Sequence, residues 1–224
     1  MNVEFVRVTE NPELLIENAM RICHGGCVAN GKPNRNFIKS IIKLGHESPL
    51  EHASVTMRIG GVSRALTHQL VRHRLASYTQ RSQRYCKEID FDYVTPESIE
   101  DRPELCEKYD DLMLQIGELY KLFVDAGIKR EDARYMLPNA CETEIYVTMN
   151  FRELRHFIYL RSDIHAQWEI RHLADMILCE MYKIAPSVFE DLFVKYFPDG
   201  TDTEKYDKDG NLVEKVHNGP TKTE

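Results

Sequence analysis

No apolar run in this chain approaches eighteen residues, so no transmembrane helix is expected. The N-terminus, Met1-Asn2-Val3-Glu4-Phe5, lacks a basic segment followed by an apolar one, which argues against a secretory signal. Six cysteines occur, at 23, 27, 86, 106, 141 and 179, but without metal-ligand spacing. Cys23 and Cys27 bracket His24, and no second cluster of ligands accompanies them. We therefore expect a cytoplasmic chain with free thiols and no metal. Internal repeats are absent. Positive charge is also short overall: the formal net charge is −7, whereas general nucleic-acid binders carry a basic domain or stripe. With 224 residues and a hydrophobic fraction of 42%, the chain can bury one substantial core.

One local absence is more informative. From His52 to Lys87 there is no acidic residue, yet the stretch holds Arg58, Arg64, Arg72, Arg74, Arg81 and Arg84. Residues 72–85 concentrate four of these arginines with His73, Ser77 and Ser82. Guanidinium forks, hydroxyls and loop N–H groups are what phosphate recognition requires. On an acidic protein such a site points to a small anionic ligand. A solvated basic face, or ion pairs to acids elsewhere, is the plainer alternative. The spacings of 2, 7 and 3 residues cannot share one regular face, so a loop that folds back must converge them.

Periodicity predicts an α+β domain with a mostly antiparallel sheet and several helices. Strands are expected at Val3–Thr9, at Ala53–Ile59 broken by Gly60-Gly61, at Phe91–Val94 and at Glu142–Met149. Helices are expected from Asn11-Pro12 to about His24, from Asn34 to Gly45, over 62–71, from Pro103 to Gly127, over 130–136, 151–160 and 166–184, and from Pro186 to about Tyr196. In the Pro103 helix, Leu105, Tyr109, Leu112, Ile116, Leu119, Phe123 and Val124 mark the apolar face. Residues 77–85 lack an apolar period and read as a loop. Residues 1–198 are expected to form one domain. The polar tail 199–224 reads either as disordered or as a weak hairpin turning at Asp209-Gly210.

The arrangement Arg72-His73-Arg74, seven residues, Ser82-Gln83-Arg84-Tyr85 resembles the signature of the flavin-dependent thymidylate synthases. Further matches follow in order: His46-Glu47-Ser48-Pro49 with Glu51-His52, Gln69 three residues before the triplet, and Arg134 with Leu137-Pro138. Asn150-x-Arg152 and Leu160-Arg161-x-Asp163-x-His165-Ala166-Gln167-Trp168-Glu169 complete the set. The resemblance spans about residues 2–197.

That resemblance implies reductive methylation of dUMP to dTMP, with methylenetetrahydrofolate as carbon donor and FAD, reduced by NADPH, as hydride source. It places Ser48, Arg72, His73, Arg74, Gln80, Asn150, Arg152 and His156 at FAD. It places Gln69, Arg72, Gln80, Arg81, Ser82, Gln83, Arg84, Arg134 and Arg161 at dUMP. Arg161 is the group expected to act on the pyrimidine, by charge rather than as a base. A homotetramer with shared active sites is implied, with neither nucleic acid nor membrane as partner. Two positions depart from some relatives: His156 stands where they have asparagine, and Gln80 where they have glutamate.

Several readings stay open. His46 and His52, flanking Glu47 and Glu51, could serve near folate or flavin, or play a structural part. His165 lies four residues after Arg161 and is either a site residue or a cap contact. Trp168 and Tyr85 suit core or stacking surfaces. Cys86 and Cys141 lack the Pro-Cys-His context of the flavin-free thymidylate synthases, so no cysteine nucleophile is expected. A flavoprotein acting on another nucleotide, or an RNA- or DNA-binding module using the acid-free stretch, are the competing functions.

Overall fold

The computed structural model describes residues 1–23, 25–29, 31–206 and 212–218. In chain order the elements are β1 (Asn2–Val8), α1 (Pro12–Cys23), α2 (Arg35–Lys43), a 3-10 turn (Ser48–His52), β2 (Ser54–Ser63), α3 (Arg64–Leu70), β3 (Ala76–Gln80), α4 (Glu97–Glu100), α5 (Pro103–Asp125), α6 (Arg130–Ala133), a second 3-10 turn (Arg134–Met136), β4 (Glu142–Asn150), α7 (Phe151–Arg161), α8 (Trp168–Ile184), α9 (Pro186–Tyr196), β5 (Thr201–Tyr206) and β6 (Leu212–Asn218). The fold is α+β, as the periodicity predicts. Its antiparallel sheet has the order β1-β2-β4-β3. No helix among the described residues is long and apolar enough to cross a membrane. Two compact units divide the chain, one of residues 1–4 and 57–147, the other of residues 5–56 and 148–224.

In the first unit, the sheet alternation is what the sequence predicts. Met57 and Ile59 of β2, and Ile145 and Val147 of β4, are buried, with more polar residues between them. The expected break at Gly60-Gly61 does not occur, because β2 continues to Ser63. Gly61 has φ +65, and a Cβ there would lie 3.0 Å from the backbone nitrogen of Met1. The glycine pair thus admits Met1 and Asn2 close alongside the strand instead of ending it. Ser63 then caps α3, its Oγ accepting from Leu66 N at 3.0 Å. The next two N–H groups, of Arg64 and Ala65, donate to the carbonyls of Cys141 and Asn139.

The stretch read as a loop begins as a strand: β3 covers Ala76–Gln80 and the loop starts only at Arg81. As the edge of the sheet, β3 buries little and needs no apolar alternation. The strand expected at Phe91–Val94 reduces to a single bridge, Tyr93 to Cys141. In α5 the buried residues are Met113, Gly117 and Tyr120, while Leu105, Leu112, Leu119, Leu122 and Phe123 are exposed. The helix is where the sequence puts it, but its apolar stripe is not the buried one. Gly117 marks the packed side: a Cβ there would stand 3.3 Å from the Ile89 carbonyl oxygen, so a larger residue would push that segment back by a few tenths of an ångström.

The second unit is mainly helical. Asn34 caps α2 by accepting from Phe37 N at 3.1 Å, and Ile38, Ile41 and Ile42 form its buried face. In α8, Ile170, Leu173, Ile177 and Met181 are buried, and Ile184 at its end is half-buried. The buried Glu13 of α1 accepts from Ser187 N at 2.6 Å and so satisfies the start of α9, which has no side-chain cap of its own. β1, β2 and β4 supply short ends here, tied by Thr9 N to Ser54 O at 3.0 Å and by the Thr56 and Thr148 hydroxyls at 3.0 Å. β5 and β6 form a separate antiparallel pair, with Thr201 opposite Asn218. The turn expected at Asp209-Gly210 lies outside the described residues.

Candidate active site

The predicted residues fall into two groups. Gln69, Arg72, His73, Arg74, Gln80, Arg81, Ser82, Gln83, Arg84 and Arg134 belong to the first unit. Ser48, Asn150, Arg152, His156 and Arg161 belong to the second.

In the first unit, α3 ends after Leu70 and the triplet follows as a turn. Arg72 N donates to the Gln69 carbonyl and His73 N to the Leu70 carbonyl. The Tyr78 hydroxyl lies 2.8 Å from both the Leu70 and His73 carbonyl oxygens, so β3 pins the turn from one side. His73 is buried, whereas Arg72 and Arg74 on either side of it are exposed. An alternating exposed–buried–exposed triplet on a pinned turn presents two guanidinium forks on a fixed backbone. That donor set fits a pyrophosphate.

The loop that follows is anchored residue by residue. The Gln80 amide nitrogen reaches the hydroxyls of Thr67 at 2.9 Å and Thr143 at 3.4 Å. Arg81 N donates to the Glu144 carbonyl at 2.9 Å, and Arg64 Nη2 donates to the Arg81 carbonyl at 2.7 Å. Ser82 closes the turn: its carbonyl accepts from Tyr85 N and Cys86 N, and its Oγ from Arg84 N at 3.3 Å. Arg130 Nη1 holds the Tyr85 carbonyl at 2.6 Å.

Two loop arginines have acidic partners: Arg81 Nε lies 3.5 Å from Glu88, and Arg84 Nη2 lies 3.4 Å from Glu131. The plainer reading of an arginine cluster is therefore correct for part of it. Glu88 raises the Arg81 guanidinium pKa. Burial pushes the Glu88 carboxyl up, outweighing the opposing pull of Arg81 and Arg64, and burial lowers Arg64. A cavity of about 320 Å³ lies beside this loop, lined by Arg64, His68, Gln83, Arg134, Leu137 and Pro138 among others. Gln83 and Arg134 are thus brought together from distant segments. Arg134 Nε is held by the Glu131 carbonyl at 3.2 Å.

In the second unit, α7 organises the group. Asn150 caps it, Oδ1 accepting from Glu153 N at 2.8 Å. Phe151, Leu154, Phe157 and Ile158 face the core, and Arg152, His156, Tyr159 and Leu160 are exposed at the i, i+4, i+7 and i+8 positions of one face. Arg152 and His156 thus share a face of one rigid element. Glu51 and Glu47, from the segment carrying Ser48, form ion pairs with Arg152. Arg161 is the half-buried last residue of the helix, where its charge is favoured by the helix dipole.

Among the cysteines, Cys141 is completely buried and its thiol is pushed up to about 12, mainly by burial. It is a thiol, not a thiolate, at neutral pH. No metal-ligating group of three or more His, Cys, Asp or Glu residues occurs among the described residues.

Sequence reasoning missed Arg64, Tyr78, Thr67, Thr143 and Glu88. Arg64 lies inside the acid-free stretch, and Glu88 is the first acid after it; those were their only signals. The sequence profile of the thymidylate synthase complementing protein family matches residues 4–187. The chain is 42% identical over 200 residues to the flavin-dependent thymidylate synthase of Geobacter sulfurreducens, covering 85% of this chain and 86% of the relative. It is 40% identical over 217 residues to that of Clostridium tetani, with 85% and 86% covered. To that of Nitratidesulfovibrio vulgaris it is 41% identical over 223 residues, with 88% and 91% covered. A buttressed arginine turn, a lined cavity and this likeness over most of the chain agree: it belongs to the thymidylate synthase complementing protein family, as an enzyme of the flavin-dependent thymidylate synthase type.

Proposed function

We propose that residues 1–198 carry out the reductive methylation of dUMP to dTMP, with methylenetetrahydrofolate as carbon donor and with FAD as the flavin, reduced by NADPH. The observation that carries this reading is the cavity of about 320 Å³ in which Gln83 and Arg134 meet beside the anchored Arg81–Arg84 loop. Its volume suits a mononucleotide.

In this reading the dUMP phosphate takes the Ser82 hydroxyl, the Arg84 guanidinium and loop N–H groups, each charge-assisted bond contributing roughly 1.5–3 kcal/mol. Glu131 keeps Arg84 compensated before the phosphate arrives. Arg134 and Gln83 line the nucleotide, Gln69 and Gln80 contribute amides, and Arg72 serves both ligands. Arg72 and Arg74 hold the FAD pyrophosphate, with His73 fixing the backbone between them. Ser48, Asn150, Arg152 and His156 supply the remaining flavin contacts. Bound reduced flavin supplies the hydride. Hydride accepted at C6 of the pyrimidine would leave negative charge on C5 and O4, and Arg161 would stabilise that charge without itself changing protonation. No cysteine attacks C6, a view supported by the buried, protonated Cys141.

A homotetramer with shared sites is part of the same proposal. It is supported by the exposed leucines of α5, which a monomer would leave to water. The test is direct. Protein reconstituted with FAD and supplied with dUMP, NADPH and methylenetetrahydrofolate should form dTMP. Formation of no dTMP by folded, flavin-loaded protein would overturn the proposal, and turnover of a different nucleotide would redirect it.

A further inference from the structure

Glu88 is 5% exposed, directly after an acid-free stretch of 36 residues, and its carboxylate meets Arg81 Nε at 3.5 Å. Arg81 is thereby fixed at three points: its N–H on Glu144, its carbonyl on Arg64, and its guanidinium on Glu88. Ser82, Gln83 and Arg84 follow at once in the chain. Arg64 also lines the cavity that holds Gln83 and Arg134. One small network therefore connects a buried carboxylate to both the loop and the cavity wall.

We propose that Glu88 is a positioning residue for the nucleotide loop, acting through Arg81 and assisted by Arg64, so that Arg81 supports the substrate site as a strut rather than as a phosphate ligand. This rests on the proposed dUMP site.

Stability alone does not explain the residue. Burial raises the Glu88 carboxyl even beside two guanidinium groups, so its ionised form is a net cost to folding. The guanidinium it engages is nearly half exposed, at 47%, and sits at the first residue of the loop. Without Glu88 the Arg81 guanidinium is released to repel Arg84, and Arg81 loses the side-chain anchor that sets its place at the head of the loop, leaving the two on its backbone. A bound phosphate then meets a loop that must be ordered on binding, which weakens affinity without touching the reacting atoms.

The test is a double-mutant cycle on dUMP affinity, using the flavin-loaded protein. Glu88→Gln keeps the shape and removes the charge. It should raise the dUMP Kd and KM on the order of tenfold, leave kcat at saturating dUMP within a few-fold of wild type, and keep or raise Tm. Arg81→Gln should show the same Kd increase, and the double variant no more than either single one. Unchanged dUMP affinity in Glu88→Gln, additive effects in the double variant, or a fall in kcat that tracks a lower Tm would each overturn the proposal. If Glu88→Gln does not fold, Arg81→Gln decides alone: wild-type affinity there refutes the strut. Failure of wild-type protein to bind dUMP would refute the nucleotide site itself, a result distinct from the others.

Discussion

At Cys141, complete burial raises the thiol to about 12, far above the pH at which a cysteine nucleophile would have to work. Cys141→Ala and Cys86→Ala should both retain turnover. Lost activity in either variant, with an intact melting transition, would reinstate a cysteine mechanism. Arg161→Ala should keep FAD, read from the bound flavin spectrum, and lose dUMP binding or turnover; wild-type turnover would remove Arg161 from its role.

Tyr93 offers a test of local electrostatics. Its hydroxyl lies 2.8 Å from Asp110, and that hydrogen bond, with burial secondary, raises the phenol to about 12. An acid whose folded pKa lies above its unfolded value stabilises the fold below the unfolded pKa, near 10 for tyrosine. The contribution is therefore present at neutral pH and lost as pH rises from about 10 to about 12. Tyr93→Phe should lower stability by about 1 kcal/mol at pH 7, and by less at high pH, in denaturant melts.

At the scale of elements, α3 and β3 deliver the site. Ser63→Ala removes the α3 cap and should cost about 1 kcal/mol in a thermal melt. Tyr78→Phe removes the hydroxyl that pins the Leu70–His73 turn. It should weaken FAD binding several-fold while leaving the overall fold intact by circular dichroism. Most elements were legible because their period and caps agree: Asn34 and Asn150 both cap the helices they precede, and β4 alternates along its length. β3 was not legible, because an edge strand of Ser, Tyr, Thr and Gln has no apolar face to read. Gly60-Gly61 misled for a different reason. The close approach of Met1 that those glycines admit is a long-range contact with no local trace.

For the whole molecule, the same distinction holds at the site. The residue types for anion binding stood in the sequence at Arg72–Arg84, and Arg134 was added only by the resemblance. What holds them was hidden. Glu88, Arg64 and Tyr78 act through partners that folding brings near, and spacing carries no record of that. α5 presents the reverse case: its apolar residues were read correctly as a stripe, but Leu112 and Leu119 lie at the surface of the single chain. Sedimentation should therefore show a homotetramer, and charged substitutions at Leu112 and Leu119 together should dissociate it. A wild-type chain sedimenting as a monomer would refute the shared-site arrangement.

The most direct measurement is the anaerobic oxidation of the reduced, FAD-loaded protein by methylenetetrahydrofolate, followed by flavin absorbance and product analysis. Reoxidation should depend on dUMP and yield dTMP in step with oxidised flavin. A protein that stays colourless on reconstitution with FAD, or flavin oxidation indifferent to dUMP, would contradict the assignment.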